Sequence, residues 1–478
     1  MSPGHAALAG PVGWPSERGE RSVLIVVILA ELVLLAAGFA TGHPFIAAGV
    51  AAAFAFFLVS YRFPDVAWAL VWISVAPSVE VLFPGGVAVT MPTEPMIALA
   101  LLGWVFRRGV ERRWSFPSSP LHRPLAVLAS ITLLSALWSV RPSSTLKACV
   151  MMGGYVAFGY LYFAQGRCDS RRRERWILLI SLTGAGWAVF GLARVLLSPV
   201  SALKVTSTFT YGVFRPFFHE HGTYSAYLCM LLPLALLASM ARRGLPRLLY
   251  GVCAFAMMVA IVLAFARAAW VALLLAVPAA LVGWARASLG MRRLALPAAV
   301  AIGVTWLVAT VGIGNQIAKH AGTVVSAENM SNLERLNRWT AAVAMLREHP
   351  LTGVGYGCYV DAYPSYKRRA AGTEQSTIRM GVHSEPLKLL SETGLPGFFA
   401  AFWLFGTVGW VGVRAIGRAS NPSDRMIGIA ALAGFSTYVV NGFFNAYLTE
   451  EKVTIPFWMA MGVIAALDRA DRRESPDS

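Results

Sequence analysis

The sequence predicts an all-α, polytopic integral membrane protein with about 12–14 transmembrane helices and one large helical loop outside the bilayer. Three observations predict it. Hydrophobic residues make up 57% of the chain and charged residues only 14%, against roughly 25% charged in soluble proteins. Apolar runs of membrane-crossing length follow one another along most of the chain. The arginines between those runs fall in alternate gaps, as the inward bias of positive loops requires.

Taken in order, the tail at 1–21 is polar and rich in Gly and Pro, and no small-residue cleavage site follows the first apolar run, which therefore reads as a retained anchor. Apolar segments then lie near 22–41, 45–60, 64–83, 95–107, 124–139, 145–165, 175–197, 223–241, 247–265, 267–285 and 293–314. Three more follow near 394–413, 425–443 and 453–468. The run at 95–107 is the weakest of them and short enough to be re-entrant. The division is an N-terminal cytoplasmic tail (1–21), a helical block (22–314), a loop (315–393), a second block (394–468) and a cytoplasmic C-terminal tail (469–478).

With the N-terminus inside, the cytoplasmic gaps hold Arg107, Arg108, Arg112 and Arg113, then Arg171, Arg172, Arg173 and Arg175. They continue with Arg242, Arg243 and Arg247, with Arg286, Arg292 and Arg293, and with Arg414, Arg418 and Arg425, before Arg469, Arg472 and Arg473 in the tail. Apart from the two long outer segments, the opposite gaps hold little more than His43, Arg141 and Lys452. This bias accounts for most of the net charge of +17, so the basic balance does not imply a nucleic-acid partner. The five cysteines form no C-x-x-C pair, and neither a disulfide framework nor a thiolate metal site is expected.

The threading leaves 198–222 and 315–393 outside. The larger segment has internal order. Ser331-Asn-Leu-Glu334 reads as a capping box, with Leu336, Trp339, Val343 and Leu346 recurring at helical spacing behind it. That helix should end before Pro350. Gly353, Gly355 and Gly357 then mark turns, and a second short helix should run from Glu385-Pro386 to Gly394.

Candidate chemistry gathers in these outer segments. His383 precedes the Glu385 helix, where the positive end of the dipole disfavours an imidazolium and a neutral ring can accept a proton. The alternative is a histidine that only packs at the junction. Arg267 stands between two apolar runs, a costly place unless it snorkels beside Trp270 or serves function. Arg335 and Arg338 share the first loop helix; a guanidinium fork suits phosphate, although most such arginines are a solvated face. Lys367, Arg368 and Arg369 form a further basic cluster. Arg215 opens the run Arg215-Pro-Phe-Phe-His219-Glu-His221, whose two histidines and carboxylate are a weak metal signal without a remote third ligand. A neutral base and several arginines above a membrane fit a substrate carrying a diphosphate at the bilayer surface, and fit an anion transporter as well.

The order of these pieces goes further. Arg335-Leu-Asn-Arg-Trp339, then Arg347-Glu-His-Pro350-Leu-Thr-Gly353-Val-Gly355-Tyr-Gly357, then His383-Ser-Glu-Pro-Leu387 and Glu392-Thr-Gly394-Leu-Pro-Gly397 resemble the outer-loop signature of the O-antigen ligase and polymerase superfamily. Ala266-Arg267-Ala-Ala-Trp270 and the stretch 209–231 are similar to two further regions of that family. Ser384 stands where the family usually has Asn, and Ala266 and Ala268 replace Ser and Gly. The resemblance implies a metal-independent, inverting glycosyltransferase without cofactor, in the bacterial inner membrane. It would take a glycan from undecaprenyl diphosphate at the periplasmic face and pass it to a hydroxyl of a glycan, lipid or protein. Carried over residue by residue, His383 would be the base, and Arg267 and Arg335, with Arg338 and Arg215 beside them, would bind the diphosphate donor. A polymerase of lipid-linked repeat units is the alternative within the family. A solute or anion transporter, which needs polar groups deep in its helices, and a non-catalytic glycan-binding scaffold are the rivals outside it.

Overall fold

The protein is seen in a computed structural model that describes residues 44–83, 87–111, 118–165, 170–197, 213–286, 330–366 and 381–474. The tail at 1–21, the segments expected at 22–41 and 293–314, and the Lys367, Arg368 and Arg369 cluster lie outside the described residues.

The described chain is almost wholly helical and forms an all-α membrane protein. Its helices are α1 (Pro44–Arg62), α2 (Pro64–Val75), α3 (Thr93–Val110), α4 (His122–Leu134), α5 (Pro142–Gln165), α6 (Ser170–Leu196) and α7 (His221–Ala241). They continue as α8 (Leu245–Leu263), α9 (Arg267–Arg286), α10 (Met330–Glu348), α11 (Tyr359–Tyr366), α12 (Glu385–Arg418), α13 (Pro422–Gly442) and α14 (Glu451–Glu474). Prolines open α1, α2, α5 and α13, where the missing amide donor costs nothing. Asn421 caps α13 by accepting from the Ser423 amide at 2.8 Å.

Among the described residues, α5, α6, α7, α8 and α12 are long and apolar enough to cross a membrane. Two expectations change. The segment at 64–83 is not one span: α2 ends at Val75, and β1 (Val79–Phe83) pairs antiparallel with β2 (Val87–Met91), Val79 opposite Met91. The β-branched residues Val79, Val81, Val87 and Val89, recurring at every second position, favour strands over a helix. The weak run at 95–107 is an 18-residue helix, α3.

The chain divides into two compact units. The first, from 1–72 and 92–115, is built on α1 against α3, with Trp68 and Trp104 in ring contact. The second, from 73–91 and 116–478, holds every candidate site residue. Its centre is α7, packed against α6, α8 and α13, with α9 also on α13 and α12 touching α4, α13 and α14. Within this unit the linkers at 138–141, 213–220, 264–266, 349–358, 381–384 and 443–450 fall at one end of the antiparallel helices. The opposite end carries ion pairs of Arg173 with Asp424, Arg242 with Glu174 and Arg414 with Asp468.

The loop helices also differ from expectation. Ser331 lies inside α10, whose described part begins at Met330, and not at a cap. The buried stripe of α10 is Arg338, Ala341, Ala342 and Met345, while Leu336 is 54% exposed. The turn after α10 is fixed from both sides. Val354 and Gly355 amides donate to the carbonyls of Ser391 (2.9 Å) and Glu392 (3.0 Å), and Leu395 donates to Pro350 (2.8 Å). On the other side the Tyr356 amide donates to Ser135 Oγ (3.0 Å) and Trp138 Nε1 to the Thr352 carbonyl (2.8 Å).

Candidate functional site

His383 sits in the last turn before α12, with φ +51. Phe265, two residues before Arg267 and α9, has φ +52. These are the two non-glycine residues with positive φ among the described residues. Such a backbone is costly for a side chain and tends to persist where function aims a group. Phe265 leads into α9, whose first residue is Arg267, and His383 is itself a candidate residue just before α12.

His383 Nδ1 lies 2.7 Å from Asn445 Oδ1. A carboxamide oxygen only accepts, and in the tautomer that matches this contact Nδ1 carries the proton and Nε2 keeps its lone pair. Asn445 Nδ2 in turn donates to the Tyr447 hydroxyl at 2.8 Å. The linker bearing both, between α13 and α14, is tied to α12 by Glu385, whose Oε2 accepts from the amides of Tyr447 and Leu448. Lys388 Nζ adds a bond to Thr449 Oγ1 at 2.8 Å. Ser384 occupies the N-cap position of α12, but its hydroxyl makes no capping bond.

Burial pushes the His383 imidazole below its ordinary value; Glu220 and the Asn445 bond push back, while Arg338 and Arg335 add to the lowering. The ring is therefore neutral at about pH 7. Glu220 comes from the turn before α7, Arg335 and Arg338 from α10, and Asn445 from the α13–α14 linker, so three segments converge on one ring.

The arginines do not stand on a solvated face. Arg338 is only 5% exposed, and its backbone carbonyl accepts from the buried Tyr359 hydroxyl at 2.8 Å. Arg335 and Arg267 are half-buried and close enough for their charges to act on each other. The structure thus gathers His383, Arg335, Arg338 and Arg267. Arg215 is different: it is exposed in the turn before α7, where its carbonyl is at the limit of hydrogen-bond distance from Arg194 Nη2 (3.5 Å).

Glu392 holds the site's foundation. Its carboxylate accepts from the amides of Gly357 (2.9 Å) and Tyr359 (3.0 Å), capping the start of α11. At Gly394 (φ +66, ψ −169) α12 breaks before running on toward Arg418, and a Cβ there would lie 2.6 Å from the Leu351 carbonyl carbon. The glycines and Glu392 of the motif are therefore architectural. His219 and His221 flank Glu220 at the α7 start, and no group of three His, Cys, Asp or Glu side chains able to hold a metal occurs among the described residues.

Asn445 and Glu220 carry the least sequence signal of the group. Asn445 follows a helix end with no motif around it, and Glu220 stood out only as part of a weak metal pattern. The family model described as O-antigen ligase matches residues 252–402, a stretch that includes Arg267, Arg335, Arg338 and His383 but neither Asn445, Glu220 nor Arg215. A search of curated proteins returns no match. Residues 252–402 are thus similar to the O-antigen ligase family, within a membrane protein that carries several helices of membrane-crossing length.

Proposed function

We propose that the protein is a glycosyltransferase that moves a glycan from undecaprenyl diphosphate to an acceptor hydroxyl, at the periplasmic face of the bacterial inner membrane. The observation that carries this reading is the His383–Asn445 contact, whose matching tautomer leaves Nε2 unprotonated, with the buried Arg338 and half-buried Arg335 acting on the same ring. In the step, His383 Nε2 takes the proton of the acceptor hydroxyl. The acceptor oxygen forms a bond to the anomeric carbon as the bond from that carbon to the diphosphate oxygen breaks. Undecaprenyl diphosphate leaves with the bonding pair, and Arg335, Arg338 and Arg267 stabilise its growing charge. A single displacement inverts the anomeric centre, and the chemistry asks for no metal or cofactor.

Several features support the outward placement. The arginine-rich gaps lie at the end of the helices opposite His383, as the positive-inside bias predicts for a site outside the cytoplasm. A transporter would place its charges midway along the helices, whereas these cluster at helix ends. The reading is tested with purified protein, a synthetic lipid-diphosphate glycan and a panel of acceptors: lipid A core, a second lipid-linked repeat unit, and protein. Mass spectrometry should find one glycosylated acceptor of inverted linkage together with released lipid diphosphate. A second lipid-linked unit as the acceptor would make the enzyme a polymerase, and a lipid A core or protein acceptor a ligase. Passage of the donor across vesicles without cleavage would overturn the assignment in favour of transport.

A further inference from the structure

We infer that Asn445, braced by Tyr447, is the positioning residue that fixes which imidazole nitrogen of His383 bears the proton; this deepens the proposed function and rests on His383 acting as its base. Asn445 lies outside the stretch matched by the family model and 62 positions beyond His383, in a linker with no motif.

The argument is one of hydrogen-bond bookkeeping in a closed site. Asn445 is only 7% exposed, so its amide must be satisfied by protein on both sides. With Oδ1 toward His383, Nδ2 is placed on the Tyr447 oxygen, and both ends of the amide are used. The reversed amide would present a donor to Nδ1, force the proton onto Nε2 and leave the ring unable to accept from a substrate. Which way Asn445 faces therefore decides whether His383 is a base.

The linker is built to hold that choice. Glu385 fixes the amides of Tyr447 and Leu448, and Lys388 fixes Thr449, so both ties come from the first turn of α12, directly after His383. Moving the imidazole and moving its partner are thus one motion. The charged groups facing the ring are Glu220 from the turn before α7 and Arg335 and Arg338 from α10, and they bear on its charge rather than on its tautomer. A neutral amide suits this place because a carboxylate there would favour the imidazolium and remove the base.

The test pairs spectroscopy with kinetics on the full-length protein in membranes. In isotope-labelled histidine spectra, the signal lost in His383→Asn should show protonated Nδ1 and bare Nε2. In Asn445→Ala the Nε2-protonated form should grow, and transfer should fall roughly 10- to 100-fold with donor KM little changed. Asn445→Asp should raise the ring's proton affinity, moving the acid limb of the rate profile up by about 1 unit or more, so that the deficit is greatest in acid and shrinks in alkali. Tyr447→Phe, which keeps the ring packing, should give a smaller loss in the same direction. A protonated Nε2 in the wild type, or Asn445 and Tyr447 variants with wild-type tautomer and profile, would overturn the inference while leaving an inactive His383→Asn to support the base. Wild-type transfer by His383→Asn would instead remove the base itself.

Discussion

At the scale of single residues, position in the structure changes what each side chain can do. A histidine in a loop is ordinarily half-protonated near pH 6.5. His383 is held neutral by burial and by two nearby arginines, against the opposing pull of Glu220 and Asn445. Because the base works only when unprotonated, transfer should fall as pH drops through a value below the usual histidine range, and not before. A rate profile whose acid limb lies above about pH 6.5 would contradict this. Arg335→Ala or Arg267→Ala should cost roughly 100-fold in donor turnover with protein abundance unchanged, and the lysine variants should recover little, because the planar fork is lost. Full rescue by lysine would show that charge alone is used. His383 and these arginines were legible in the sequence because they stand in an ordered motif. Asn445 was not, because the bond that defines it spans two distant segments. The helical spacing of Leu336, Trp339, Val343 and Leu346 marked α10 correctly but not its buried face, for Leu336 is exposed while Arg338 is buried.

At the scale of elements, the motif's glycines and Glu392 form a joint between α12, α11 and the turn after α10. Its logic is that of paired termini. A carboxylate on α12 caps α11, and the broken helix at Gly394 lets the Pro350 carbonyl reach the Leu395 amide. Glu392→Ala strands two amides of a buried turn, at a cost of about 1–3 kcal/mol for each group left unsatisfied. Gly394→Ala adds about 1–3 kcal/mol of backbone strain and a clash with Leu351 besides. Both variants should lower the unfolding temperature and the yield of protein in detergent, whereas His383→Asn, whose replacement also tolerates positive φ, should not. Unchanged melting of Gly394→Ala would show that the joint gives way. Most helices were legible as apolar runs, and the break at Gly394 as a glycine stop. The β1–β2 hairpin was hidden inside an apolar run because β-branched residues are equally at home in a membrane helix and a strand.

At the scale of the whole molecule, the account predicts sidedness. Gly381 beside His383 and Gly417 near the far end of α12 are both exposed, and an added Cβ meets nothing at either position. A cysteine placed at 381 should react with a membrane-impermeant thiol reagent in intact cells whose outer membrane has been opened, and one at 417 should react only after the inner membrane is broken, each read against the native thiols. The opposite pattern would invert the topology and move the site to the cytoplasm. The most direct measurement compares wild type with His383→Asn at equal abundance in membranes, supplied with lipid-diphosphate glycan and the acceptor the wild type uses. The rate of glycan transfer should fall roughly 100- to 10,000-fold with donor binding retained. Transfer by the variant at close to the wild-type rate would contradict the assignment of His383 as the base.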